Sequence, residues 1–318
     1  MLTGMSDESL SLQALTETKR RCLHGCAEIL SRTSKHPIWA LSTALKLQSI
    51  ETPRRDAVPG NGRDAIAVVR NANARHHLQR LRLVTWNRPL DVVTVERSFE
   101  CTSPVCTWAM YASRLSMEEL VVLGDSMMRR DRRLKRASLD EFTASLDMAR
   151  RWAQEHGQRL FPGYHQCRQA LSLMREGTDS SPETWSRLGI MRYGMDCPQV
   201  NHPLRIAQGR TLFLDMAYPE VKVCIEYDGM HHSGQWLADT QRRHAVEDEG
   251  WRYVQATKLD LGTPAAEEQL ARRVADAIGQ ATGRQVPLTA RLPISALCDA
   301  RARRRRPLWQ RLDIAPRP

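Results

Sequence analysis

At 318 residues, with 42% hydrophobic and 26% charged residues, the chain is long enough for two domains that each bury a core. No run is long and apolar enough to span a bilayer, and the start, MLTGMSDESLS, lacks the basic-then-apolar pattern of a leader, so a cytoplasmic setting is expected. The net charge is +11, yet residues 284–318 alone hold nine Arg and two Asp, so the basic character belongs mainly to the tail, where a polyanion partner fits.

Eight cysteines fall at irregular spacing. Cys22/Cys26 and Cys101/Cys106 have no matching second pair, which argues against structural zinc and for reduced thiols. Residues 1–15 are polar and read as a frayed start. The pattern predicts a helix from Thr16 to Ser31 with Cys22, Cys26, Ile29 and Leu30 on one side. Pro37 opens a second helix, Ile38 to Leu47, before the loop PRRDAVPGNGR. Residues 1–62 thus read as a helical segment the length of a small, degenerate winged-helix unit, without a clear recognition helix. His76 and His77 read as a solvated pair.

Residues 63–162 read as a mixed, mainly helical middle domain. Leu81–Trp86 and Val92–Phe99 are strand-like, joined by Asn87-Arg88-Pro89. Helix starts follow at Ser103-Pro104 and at the capping boxes Ser116–Glu119 and Ser138–Glu141. The basic run MMRRDRRLKR suits either phosphate contact or a solvated helix end. Residues 163–179 are assigned as a linker that carries a helix, Tyr164 to Arg175. Ser181-Pro182-Glu183 then starts the next helix with a cap, a proline and an acid. Glu183 either complements the helix dipole or belongs to a site.

The most informative stretch is LFLDMAYPEVKVCIEYDGMHH, Leu212 to His232. It reads as two short strands around a tight turn at Tyr218-Pro219-Glu220. Asp215 sits inside the first apolar run; Glu226 and Asp228 end the second, and Gly229 leads to His231 and His232. Carboxylates and imidazoles in nearly buried strands are unfavourable unless a positive partner binds there. With the turn centred on Pro219-Glu220, Asp215 is expected opposite Cys224 and diagonal to Glu226, about 7–8 Å away. A hard cation between them takes oxygens at about 2.0–2.1 Å if it is magnesium. The alternative is a solvated hairpin whose acids face water. A helix over Gln235–Glu249, a strand over Trp251–Ala256 and a helix over Glu267–Thr282 follow. Strand, helix, strand implies a parallel pair. The tail from 284, with Pro293, Pro307, Pro316 and Pro318 and the run around Arg303, Arg304, Arg305 and Arg306, reads as disordered and attracted to nucleic acid.

The ordered set Asp215, ten residues, Glu226-Tyr227-Asp228-Gly229, His232, Gln235-Trp236, Asp239, Arg242 and Gly250-Trp251 resembles an endonuclease-domain family, domain of unknown function five-five-nine. That family is related to the very-short-patch mismatch-repair endonucleases of the PD-(D/E)XK superfamily. The match covers about Ser180 to Gln280. Residues 81–160 more loosely resemble the middle region of chains with an AbiEi-type antitoxin front.

The resemblance implies an α/β (α+β) fold: a restriction-endonuclease-like mixed sheet flanked by helices over 180–283, preceded by a mainly helical N-terminal domain. It implies Asp215 and Glu226 as metal-binding acids, the Tyr227 carbonyl as a further ligand, and Glu183 as the helix acid. Asp228 stands where the usual catalytic lysine is expected, so His231 or His232 takes over that work. Asp239, Arg242 and Arg243 are implied in orienting the site or binding phosphate. The implied activity is magnesium-dependent hydrolysis of DNA, with manganese substituting and no nucleotide cofactor. RNA stays open as a partner, as do the DNA target and the oligomeric state. The alternative is an inactive nucleic-acid-binding or antitoxin-like regulator on the same fold.

Overall fold

The computed structural model describes residues 7–33, 36–54, 65–71, 80–207, 209–229, 236–299, 310 and 312. The chain forms two compact units, Met1–Glu176 and Gly177–Pro318. It is a mixed α/β protein, with a sheet and helices in each unit.

Among its described residues the first unit carries the strands β1 (Ile38–Trp39), β2 (Ala65–Val69), β3 (Leu81–Thr85), β4 (Val92–Val95) and β5 (Phe99–Thr102). Their order is β3-β2-β1-β5-β4. Ile38–Trp39 was expected to begin a helix. It forms a strand instead, and Leu41, at φ 51, turns the chain into the helix α2 (Leu41–Leu47). Because β1 pairs with both β2 and β5, the chain on either side of position 62 shares one sheet, and the expected separate N-terminal segment is not seen. The long helix α1 (Asp7–Leu30) lays Cys26 against Trp39, Ala44, Leu47, Ala67 and Cys101.

Four helices follow: α3 (Pro104–Tyr111), α4 (Met117–Met127), α5 (Leu139–Glu155) and α6 (Tyr164–Leu173). Ser103, Ser116 and Ser138 cap the first three, and Ser138 with Glu141 forms a full capping box. Trp108 is fully buried, donates its indole N–H to the Leu120 carbonyl at 2.8 Å, and meets Phe142 edge-on at 4.8 Å. The segment assigned as a linker is not one. Tyr164, Cys167, Ala170 and Leu173 recur at helical spacing and are all buried within the first unit, so α6 is a core helix. The basic run after α4 is largely tied down internally. Arg129 pairs with Glu51, Arg133 with Asp131, Lys135 with Glu176, and Arg136 donates to the Gln48 carbonyl.

The second unit runs α7 (Ser181–Met191), β6 (Gln199–Arg205), β7 (Thr211–Tyr218), β8 (Val223–Asp228), α8 (Trp236–Asp248), β9 (Arg252–Thr257) and α9 (Pro264–Thr282). The sheet order is β6-β7-β8-β9, antiparallel except for the parallel β8–β9 pair that α8 connects. Strand β6, which contains Pro203, has no counterpart in the sequence reading. Proline is tolerated here since β6 is an edge.

Two apolar clusters sandwich this sheet. Met216, Tyr218, Val223, Ile225 and Val254 pack with Ile190 of α7 and Leu270, Val274 and Ile278 of α9. Leu204, Leu212, Leu214, Ala217, Cys224 and Trp251 pack with Val246 of α8. Each fully buried Leu, Ile, Val or Met among them contributes roughly 1.5–3 kcal/mol of gross burial free energy.

The expected disordered tail does not begin at 284. Val286 enters the core, the Thr289 and Leu292 amides donate to Tyr193 and Arg192 carbonyls at 3.0 and 2.7 Å, and Arg291 pairs with Glu267 at 2.7 Å. Backbone pairing and an ion pair hold this stretch where composition alone suggested none. No described helix is long and apolar enough to cross a membrane.

Candidate active site

The turn between β7 and β8 is longer than expected. A single 3-10 turn over Pro219–Val221 and Lys222, at φ 51, connect Tyr218 to Val223. Cys224 therefore pairs with Ala217 and Ile225 with Met216. Extending that register by one residue puts Asp215 directly across from Glu226, not diagonal to it. Directly opposed side chains are about 4.5–5.5 Å apart at Cβ, closer than the sequence reading gave.

At this point the ladder changes character. The Asp215 amide donates to Glu226 Oε1 at 2.9 Å, and the Tyr227 amide donates to Asp215 Oδ2 at 2.9 Å. Each carboxylate thus takes the backbone N–H of the opposing strand. The strand also changes face here. Leu212 and Leu214 pack on the α8 side, but Met216 and Tyr218 pack on the α7–α9 side. Across the sheet, β6 and β7 pair on both sides of Asn201 and Asp215, and Asn201 sits at φ 52. A positive φ at a non-glycine residue bends the edge strand. The bend leaves Asp215 half-buried where both layers of helices can reach it.

From the α8 side comes Arg242. Its Nε and Nη2 donate to Glu226 Oε2 at 3.1 and 2.8 Å, and Nη2 also donates to the Phe213 carbonyl. Glu226 is 5% exposed, so this two-pronged pairing compensates a desolvated carboxylate. From the α7 side comes Glu183, also buried. It accepts from the Ser180 hydroxyl at 2.7 Å and the Asp179 amide at 3.1 Å. Asn201 donates to the Gly177 carbonyl and fastens the start of α7 to the sheet edge.

The electrostatics follow from this crowding. Burial, with Asp179 and Glu226 adding repulsion, pushes the Glu183 carboxyl up to about 8 against the pull of the Ser180 hydroxyl. Burial, then Glu226, then Glu183, pushes Asp215 well above the usual carboxylate range. Burial works against the Arg242 charge, yet Glu226 and Asp215 hold it above its ordinary value. The three acids therefore sense one another across strands and helix, although they are far apart in sequence.

The other expected residues fall as follows. Asp228 stays on β8, where Gln255 of β9 donates to its Oδ2. Gln255 pairs with Glu226 in the parallel register, so it faces the same side. Tyr227 is half-buried beside the α9 cluster. Asp239 lies exposed in the first turn of α8. Arg243 is directed away from Glu226, to Glu247 at 2.8 Å and over the Tyr253 ring at 5.3 Å. His231, His232 and Arg303–Arg306 lie outside the described residues. Asn201 and Gln255 were missed by sequence reasoning. Gln255 has a usable signal, since it lies in the strand that a crossover places beside Glu226. Asn201 has none.

A hard divalent cation suits this donor set in chemistry and charge: carboxylate oxygens, two of them with raised pKa from burial and mutual repulsion. Among the described residues no three His, Cys, Asp or Glu side chains are grouped as a finished ligand set. In the structure Arg242 engages Glu226, while the Ser180 hydroxyl and the Asp179 amide engage Glu183.

The fold and site define a mixed α/β protein whose second sheet gathers acids around an arginine. The chain is similar to the uncharacterized protein MT2308 of Mycobacterium tuberculosis strain CDC 1551 / Oshkosh and to the uncharacterized protein Rv2248 of strain ATCC 25618 / H37Rv. Each is 27% identical over 135 residues, covering 40% of this chain and 48% of the relative. The chain thus spans about half the length of the curated relatives it matches. No family model and no solved structure matches it.

Proposed function

We propose that the second unit is a metal-dependent endonuclease that hydrolyses DNA phosphodiester bonds, in repair or defence. One observation carries this reading: Asp215 meets Glu226 across neighbouring strands, and Glu183 is close enough to raise the Asp215 pKa. Asp215, Glu226 and the Tyr227 carbonyl would hold magnesium or manganese, with Glu183 beside them. When bound, such an ion supplies positive charge for activating water and for the crowded phosphorus.

The chain's own residues set the rest. Arg242 holds Glu226 in one orientation and adds positive charge within reach of an anionic substrate. Asn201 and Asp179 position Glu183. His231 or His232 is assigned the proton transfer that a lysine performs in the resembled nucleases, because Asp228 fills that place and is held by Gln255. The basic tail supplies nonspecific attraction to the phosphate backbone.

The test is nicking of supercoiled plasmid by the full chain in magnesium or manganese. Asp215→Asn keeps an acceptor for the Tyr227 amide and is expected to fold. It is expected to lose at least a hundredfold in rate while still shifting DNA on a gel. Equal cleavage by Asp215→Asn and wild type removes the assignment. A second reading, a regulator that binds nucleic acid without cutting it, is favoured by Asp228 at the lysine position. It predicts a gel shift with intact plasmid.

A further inference from the structure

The first unit holds a thiol cluster that the proposed activity does not use. Cys22 and Cys26 stand one turn apart on α1 and face the cluster that contains Cys101 of β5. Cys22 is half-buried and its thiol donates to the Thr43 carbonyl at 3.8 Å. Cys26 is 1% exposed and Cys101 is 0% exposed. A small oxidant from solvent therefore reaches Cys22 first, and Cys26 is the thiol waiting behind it.

We propose that Cys22 is a peroxide-reactive thiol and Cys26 its resolving partner, so that this pair is an oxidative modification site. The Cys22 thiolate attacks hydrogen peroxide, forming a sulfur–oxygen bond as the peroxide O–O bond breaks and hydroxide leaves. The Cys26 sulfur then attacks the Cys22 sulfenic acid, forming the disulfide and releasing water. Two thiols are oxidised by two electrons, and one peroxide is reduced to two waters.

The local chemistry assists this order. The neighbouring Cys26 thiol, with Lys46 nearby, lowers the Cys22 pKa against the effect of burial. The adjacent Cys22 thiol and burial push Cys26 up. Burial, with Cys22 adding to it, pushes Cys101 up to about 12. Cys101 is also held by strand pairing on both sides, to Trp39 and Val93, which keeps it from swinging out to resolve Cys22.

Residues four apart on a helix have Cβ atoms roughly 5–6 Å apart, whereas a disulfide requires about 3.5–4.5 Å. The turn of α1 must tighten to close the bond. A strained disulfide of this kind is readily reduced. Closing it also shifts α1 against the sheet it covers.

The experiment treats the full chain with hydrogen peroxide, alkylates remaining thiols in denaturant and digests with trypsin. Cleavage after Arg21 and Arg32 leaves both cysteines in one peptide. The expected result is that this peptide escapes alkylation and loses two hydrogens, and that dithiothreitol restores it. Cys101→Ser is expected to behave as wild type, and Cys26→Ser to leave a sulfenic acid at residue 22 that dimedone captures. Full alkylation of residues 22 and 26 after peroxide overturns the proposal. So does a bond from Cys22 to Cys101. The wild-type digest decides the matter even if a variant folds poorly.

Discussion

Replacing Glu183 by glutamine separates a site acid from a capping acid. In the folded chain the Glu183 carboxyl titrates at about 8, against an ordinary value of 4.5. A carboxyl raised on folding binds its proton more tightly in the native state than in the unfolded one. Stability is therefore unaffected below about pH 4.5 and falls as pH rises toward 8. At about 1.36 kcal/mol per pKa unit, the loss by pH 8 is on the order of 4–5 kcal/mol. Asp215 shifts in the same direction. Glutamine mimics the protonated acid and removes this titration. It weakens the bonds from the Ser180 hydroxyl and the Asp179 amide, a cost of about 1 kcal/mol. Without divalent ions, Glu183→Gln is expected to be more stable than wild type at pH 8 by about 2–4 kcal/mol, with the gap closing near pH 5. Pulsed hydrogen exchange across a urea series, read in β7 and β8 peptides, measures the second unit alone. A variant less stable than wild type at pH 8, or with an unchanged pH profile, refutes the reasoning.

Arg242→Met leaves the buried Glu226 carboxylate without its guanidinium. The expected loss is about 2–4 kcal/mol, toward the lower end because Arg242 is itself a third exposed. The same urea series reads it, and a loss below about 1 kcal/mol contradicts the bracing role. Adding Glu226→Gln to Arg242→Met is expected to recover part of that loss, since the isolated charge is gone. Ile225→Ala, at a fully buried position on β8, is expected to destabilise the second unit by about 2–5 kcal/mol. An effect under about 1 kcal/mol there would mean that the α7–α9 cluster packs loosely.

Much of the second unit was legible because its signals are local. The order strand, helix, strand gave the parallel pair, and Ser-Pro-Glu gave the start of α7. The register was misjudged by the length of one turn. Pro219 suggested a tight reversal, whereas Lys222 accepts a left-handed backbone and adds residues to the connection. That error understated the approach of Asp215 to Glu226. The face switch at Asp215 depends on Asn201 of the edge strand β6, and no short-range pattern encodes it. In the first unit, β1 is two residues long and exists because strands from distant sequence pair with it. Helical periodicity in the neighbouring residues masked it. The ordering of residues 284–299 likewise rests on contacts with Arg192, Tyr193 and Glu267 that composition does not reveal.

The central claim is that acids of β7 and β8 share one divalent cation. Titration of the full chain with manganese, followed by electron paramagnetic resonance, tests it most directly. Wild type is expected to quench the free-ion signal, and excess magnesium to release it. Asp215→Asn and Glu226→Gln, with folding verified by circular dichroism, are expected to leave the signal of the free ion. Equal manganese binding by wild type and both variants would contradict the account.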